Sequence, residues 1–251
     1  VVGLMPFNYF VKWSECGLAL CSESPTLATC YFSASPGAMA RLRSRHIESW
    51  SNMGLGLYKG TWKSGTLACK FFESSPALLR ALSVPELERF VTFLDVVANR
   101  SYDLSTECLS LSQKVFPHLG DDKDAFISLA SKVAESNWRQ VKGFFEASAK
   151  ALPIIETSQR PRFLSLSDRI LSGGGVNLPA AMLEVSESLE KIDEDYHERL
   201  LELADGLMEV SPAAAPEFIK STPSALERVT IGQLEKWFDE GMRVLRQNQD
   251  G

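Results

Sequence analysis

Glu194 and His197 stand three residues apart in the acidic run Asp193-Glu194-Asp195-Tyr196-His197-Glu198. That is the spacing by which a di-iron bundle sets a carboxylate and an imidazole on one helix face. Such a centre needs two pairs, and neither His46 nor His118 has a glutamate three residues before it. The run therefore reads as a solvated acidic helix face. Asp121-Asp122-Lys123-Asp124 lacks the glycine and closing glutamate of a calcium loop and reads as a charged helix start. Ser188 and Lys191 have the Ser-x-x-Lys spacing of acyl-transfer nucleophiles without the companion motifs of those enzymes. Gly173-Gly174-Gly175 is followed by no Lys-Ser or Lys-Thr and follows no strand pattern, so it reads as a linker and not a phosphate cradle. The expectation is a protein that is not an enzyme, with no catalytic residue, no metal ligand and no cofactor.

Five cysteines without a repeated short spacing suggest neither a disulfide framework nor a zinc ribbon. Cys30, Cys69 and Cys108 lie beside aromatic pairs and are expected to pack in the core. Two surfaces remain as candidates for partner binding. Arg41, Arg43 and Arg45, with His46, form the one basic cluster in a chain of net charge −6, where they could meet an acidic protein or nucleic acid. No aromatic residues interleave with them as in single-strand binders. Phe7, Tyr9 and Phe10 belong to the apolar stretch from Val1 to Trp13, which is expected to cap the first repeat or to self-associate or meet a further domain.

The elements that carry these residues are legible from a repeated phrase. Copies begin at Tyr31-Phe32-Ser33-Ala34-Ser35-Pro36, Phe71-Phe72-Glu73-Ser74-Ser75-Pro76, Phe144-Phe145-Glu146-Ala147-Ser148 and Phe218-Ile219-Lys220-Ser221-Thr222-Pro223, with weaker copies at Cys108-Leu109 and Met182-Leu183. The starts near 31, 71, 108, 144, 182 and 218 define units of about 37 residues. An aromatic residue followed four positions later by a small one supports the same frame: Trp13/Gly17, Trp50/Gly54, Phe126/Ala130, Phe163/Ser167 and Trp237/Gly241, decaying to Phe90/Leu94 and Glu202/Gly206. This is the stripe of an amphipathic helix whose glycine admits a neighbouring backbone. Ser75-Pro76 and Thr222-Pro223 read as an N-cap with a first-turn proline, starting a short connecting helix. Ser83-Val84-Pro85-Glu86 and Thr230-Ile231-Gly232-Gln233 read as capping boxes, each opening a longer helix. Each unit thus has an A helix ending near its aromatic pair, a short connector and a B helix, and a lone B-type helix at Phe10 to Cys21 precedes the first unit.

One such unit cannot bury its apolar face alone, so the units must stack. The expected fold is all-α, a single domain over residues 1–251 built as an α-solenoid of about six HEAT-like or irregular repeats of about 37 residues. The length, 45% hydrophobic and 23% charged residues belong to a globular chain. No apolar run reaches the length of a membrane span and no signal-peptide pattern opens the chain, so a cytoplasmic protein without membrane contact is expected.

The phrase Ala68-Cys69-Lys70-Phe71-Phe72-Glu73-Ser74-Ser75-Pro76-Ala77-Leu78-Leu79, joined to Trp-x-x-x-Gly in the following helix, resembles the helical-repeat region of bacterial von Willebrand factor A domain proteins of the nitric oxide reductase activation and CoxE type. The resemblance runs from about Phe10 to Arg246. The metal-binding Asp-x-Ser-x-Ser motif of that family is absent, the nearest string being Asp103-Leu104-Ser105-Thr106-Glu107. The resemblance implies a non-enzymatic protein-interaction scaffold, the helical part of an adaptor for a MoxR-type AAA+ ATPase in metalloenzyme assembly or activation. The alternative function is a HEAT-like nucleic-acid-binding repeat protein gripping duplex backbone through Arg41, Arg43 and Arg45.

Overall fold

A computed structural model describes residues 7–60, 65–173 and 177–249, which form helices joined by short turns, with no strand among them. The packing divides the chain into two compact units, residues 1–117 and 118–251. Val1 to Pro6, at the start of the apolar N-terminal stretch, lie outside the described residues.

The first unit holds α1 (Phe7–Glu23), α2 (Pro25–Met39), α3 (Ile47–Gly60), α4 (Gly65–Ala81), α5 (Val84–Ala98) and α6 (Tyr102–Val115). Even-numbered helices pack side by side, α2 on α4 and α4 on α6, and odd-numbered ones do the same, α1 on α3 and α3 on α5. The two rows meet face to face through contacts such as α1 with α2 and α3 with α4. Local signals start several of these helices. Ser24 and Ser101 cap α2 and α6 by accepting from the amides of Leu27 and Leu104. Ser83 and Glu86 form the expected capping box at α5, each satisfying the other's backbone amide.

The core of this unit is aromatic. Trp50, Tyr31, Phe71, Phe72 and Phe90 are fully buried, and the Trp50 ring lies 4.8 Å from Tyr31 and 5.2 Å from Phe72, the latter edge to face. Glycine makes these contacts geometrically attainable. A Cβ on Gly54 would fall 2.1 Å from Phe72 Cζ, and one on Gly17 would fall 2.0 Å from Phe32 Cζ. Gly56, on the opposite face of α3, would meet nothing within 4 Å. Gly54→Ala should therefore destabilise by ~1–3 kcal/mol, because the buried Phe72 ring has nowhere to retreat. Gly56→Ala should stabilise by ~0.4–1 kcal/mol through the unfolded chain. Urea titration of both variants checks the pair, and shifts of the same sign would overturn this reading of α3.

The Ser-Pro pairs do not start helices. Pro36, Pro76 and Pro223 sit inside α2, α4 and α12, and the A helices run through their aromatic pairs instead of ending there. The reason is a tertiary bond that local propensity does not report. The Ser75 hydroxyl donates to the Phe71 carbonyl at 2.6 Å and accepts from the Trp50 indole N–H at 2.9 Å. Ser35 does the same, donating to the Tyr31 carbonyl at 2.6 Å and accepting from the Trp13 indole at 2.8 Å. The hydroxyl thus ties an odd-numbered helix to the next even-numbered one, next to the ladder position that proline leaves open. The connectors are instead 3₁₀ turns such as Ser44–His46, leading into α3.

Cys30 and Cys69 also depart from expectation. Their sulfurs are bonded, with Cα atoms 5.2 Å apart, so they cross-link α2 to α4 and do not merely pack. Cys108 is buried on α6, as expected for a small apolar residue.

The second unit holds α7 (Lys123–Asn137), α8 (Val141–Ala151), α9 (Arg160–Ser172), α10 (Leu178–Glu190), α11 (His197–Val210), α12 (Ala215–Leu226) and α13 (Ile231–Gln249). Again alternate helices pack together, α8 on α10 on α12 and α7 on α9 on α11 on α13. Gly120, with φ of 56°, turns the chain ahead of α7, a conformation that suits glycine. Phe126, Phe144 and Phe145 are fully buried, with Phe126 and Phe144 stacked at 5.0 Å. Two sequence registers shift here. The stripe on α11 is carried by Leu200 and Ala204, both buried, while Glu202 is exposed. On α13 the fully buried ring is Phe238, and Trp237 is only half-buried, because an exposed row of charged residues occupies the rest of that helix. Gly241 still marks a close contact, its Cβ position lying 2.9 Å from Leu203 Cδ2.

Candidate functional site

The surface residues singled out from sequence lie on two neighbouring elements of the first unit, the segment between α2 and α3 and the helix α1. Arg41, Arg43 and Arg45 are exposed on the segment between α2 and α3, and Arg45 Nε donates to His46 Nε2 at 3.1 Å. The 3₁₀ turn Ser44–His46 packs against α1, whose outer face carries Phe7, 81% exposed, and Phe10, with Leu18 a further exposed apolar residue that the sequence did not single out. Tyr9 is half-buried. Phe10 leans on Trp13 at 5.8 Å and Trp13 on Phe32 at 5.0 Å, so the aromatic row continues from the core to the surface. The exposed apolar face of α1 can seat an apolar partner, and the arginines of the next segment can meet acidic groups.

Chemistry-bearing residues elsewhere are in structural use. His197 is buried at the start of α11 and its Nε2 lies 2.9 Å from the Leu189 carbonyl at the end of α10, which makes Nε2 the protonated nitrogen and the imidazole a helix C-terminal partner. It is not solvated, as the acidic run around it suggested. Lys191 bonds Glu187, Glu227 and the Pro223 carbonyl. Ser188 donates to the Glu184 carbonyl. The two therefore do not form a nucleophile pair. Gly174 and Gly175 lie outside the described residues. Among the described residues no three His, Cys, Asp or Glu side chains gather where a metal could sit, and no helix is long and apolar enough to cross a membrane.

A pattern absent from the sequence reading links the odd-numbered helices. Lys12 on α1 pairs with Glu48 on α3 at 2.5 Å, and Arg162 on α9 pairs with Glu198 on α11 at 2.5 Å. In both, the cation directly precedes the stripe residue of its own helix (Trp13, Phe163), and the carboxylate stands two residues before that of the next (Trp50, Leu200). Lys132 on α7 pairs with Asp168 on α9 at 2.8 Å, and Arg169 on α9 pairs with Asp205 on α11 at 3.1 Å. Here the cation follows its stripe residue by six positions and the carboxylate by five. All four pairs span 36 residues of sequence, as Lys191 and Glu227 also do. The groups are largely exposed, so each pair contributes little stability, and together they mark the common register of neighbouring helices.

The α3/α5 interface breaks this pattern. Its carboxylates are present, Glu88 two residues before Phe90 and Asp95 five after it, but the cation positions on α3 are Ser49 and Gly56. A groove of about 430 Å³ opens there, lined by Ser49, Asn52, Met53, Gly56, Leu57, Glu88, Val91, Thr92 and Asp95. Asp95 Oδ1 is buried without a hydrogen-bond partner, over the spot where a Cβ on Gly60 would lie 2.3 Å away. Burial pushes its carboxyl above the usual range. A folded pKa raised above the unfolded value near ~3.9 means that the stability is full below that pH and is lost as pH rises through the folded value. Asp95→Asn should match the wild type in stability at pH 3 and exceed it at pH 7. A difference independent of pH would show that the carboxyl is not strained by its setting.

No family model matches this chain, and no curated protein and no solved structure matches it.

Proposed function

We propose that the protein is a non-enzymatic interaction scaffold, built as an α-solenoid of HEAT-like helical units, whose partner engages the edge formed by α1 and the basic segment after α2. The observation that carries this reading is the run of exposed Phe7, Phe10 and Leu18 on α1, the helix against which the turn flanked by exposed arginines packs. Among the described residues, every other odd-numbered helix of the first unit has a neighbour of its own row on the side where α1 has none, as α1 covers α3 and α3 covers α5. The side-by-side packing of alternate helices and the recurring 36-residue ion pairs support the unit-by-unit architecture. Following the family resemblance, the partner is a AAA+ ATPase of the MoxR type, and the role is assembly or activation of its metalloenzyme client.

The test compares the wild type with a Phe7→Glu/Leu18→Glu variant, which changes the two most exposed apolar side chains of α1. Purified MoxR-type ATPase should bind the wild type, and binding should fall at least tenfold in the variant, with Arg41→Glu/Arg43→Glu reducing the on-rate and its salt dependence. Sedimentation at high concentration reads self-association through the same edge. Binding of neither the ATPase nor a second copy, together with a salt-dependent shift of duplex DNA that the arginine variant abolishes, would replace this reading with the nucleic-acid one.

A further inference from the structure

The groove between α3 and α5 has an unfilled charge requirement, and the rest of the molecule states what would fill it. Where a carboxylate stands five positions after the stripe residue, as at Asp168 and Asp205, it is met by the ammonium of Lys132 or the guanidinium of Arg169. Where one stands two positions before it, as at Glu48 and Glu198, it is met by Lys12 or Arg162. Each cation reaches its carboxylate on an aliphatic stem from the preceding helix. At α3/α5 both carboxylates occur on one face of α5, seven residues or about 10.5 Å of helix rise apart. Neither of the two cation positions on α3 carries a cation. Asp95 Oδ1, like Asp205 Oδ1, is buried without a hydrogen-bond partner, but Asp205 has the Arg169 guanidinium 3.1 Å away. The floor between the two acids at α3/α5 is apolar, formed by Met53, Leu57 and Val91.

We propose that this groove binds a linear aliphatic polyamine. One ammonium takes the position that Lys132 and Arg169 occupy at the other interfaces, against Asp95. A second takes the position of Lys12 and Arg162, against Glu88, and the methylene chain lies over Met53, Leu57 and Val91. A compact divalent metal ion cannot serve both carboxylates, because they lie two helical turns apart. A single short ammonium satisfies only one of them. The inference is independent of the scaffold reading, since it concerns a different helix pair.

Spermidine is the probe, titrated into the full chain by calorimetry and by amide NMR at low ionic strength, with magnesium chloride at matched ionic strength and methylammonium as comparisons. Spermidine should bind at one site, shift amides of α3 and α5, and bind at least tenfold more tightly than methylammonium. Gly56→Arg supplies the missing internal cation at the position equivalent to Arg169, where a Cβ meets nothing within 4 Å. It should fold as well as the wild type and weaken spermidine binding at least tenfold. Gly56→Ala, which fills no charge, should bind as the wild type does. Asp95→Asn should lose binding to the same extent as Gly56→Arg. Spermidine binding that is equal in all four proteins, that magnesium matches, or that shifts amides elsewhere would overturn the assignment. So would tighter binding of an arginine-bearing peptide that perturbs α3 and α5 while spermidine does not.

Discussion

Replacing Trp50 with alanine is expected to cost about 3–5 kcal/mol of folding free energy. The side chain is fully buried on α3, with the Tyr31, Phe71 and Phe72 rings packed around it or around one another. Removing it opens a cavity that those rigid rings cannot collapse into, since Phe72 is held against Gly54. It also removes the indole donor of Ser75, though that hydroxyl keeps its bond to the Phe71 carbonyl. Trp50→Phe loses the hydrogen bond, worth about 1 kcal/mol, and leaves a much smaller cavity, so it should cost less than Trp50→Ala. Trp13→Ala should cost less than Trp50→Ala, because Trp13 makes the same bond to Ser35 from a half-buried position. Urea unfolding of the three variants gives the order. A Trp50→Ala loss below that of Trp13→Ala would mean that the core is centred elsewhere.

Reducing the Cys30–Cys69 bond should cost roughly 4 kcal/mol, because the bond closes a loop with a sequence separation of 39 residues and removes that freedom from the unfolded chain. The melting temperature should fall by about 10 °C or more when reductant is added. A Cys30→Ser/Cys69→Ser variant should melt where the reduced wild type does and ignore the reductant. Mass spectrometry after alkylation should find two more modified cysteines in the reduced protein than in the untreated one, and an unchanged count would refute the bond. Disulfides persist in oxidising compartments and are rare in the cytosol. The cross-link therefore weighs against the cytoplasmic placement expected from composition, and a cytosolic population would carry both thiols.

The helices were legible because their signals are local. The Trp50/Gly54 stripe, the Ser83 box and the spacing of aromatic pairs each report a period or a cap that needs no distant partner. The Ser-Pro pairs were misread for the same reason. A serine before a proline is a good helix start in isolation, and only the indole reaching across from the preceding helix makes Ser75 a mid-helix anchor. On α11 the stripe passes from aromatic to aliphatic residues at Leu200, so ring spacing does not mark it. The Cys30–Cys69 bond joins residues with no short spacing to reveal them. The ion pairs did leave a trace, an excess of opposite charges 36 residues apart, which a search for charge correlation at that lag would find. Ser49 and Gly56 become informative only once that rule is known, because a missing cation has no residue type of its own.

The recurring ion pairs make the contacts between odd-numbered helices interchangeable in principle. Arg162 and Arg169 on α9 present the two charges that Glu88 and Asp95 on α5 lack, at the same positions relative to the stripe. A chain rebuilt with the outward face of α9 grafted onto α3 would close the groove that the present sequence leaves open. Conversely, a duplicated or deleted unit keeps its neighbours matched only if the charges at its two seams agree. The pairs thus act as an alphabet for shuffling units, in which α3 is written with Ser49 and Gly56 at the two cation positions and turns its Lys59 backwards, onto Glu23 of α1.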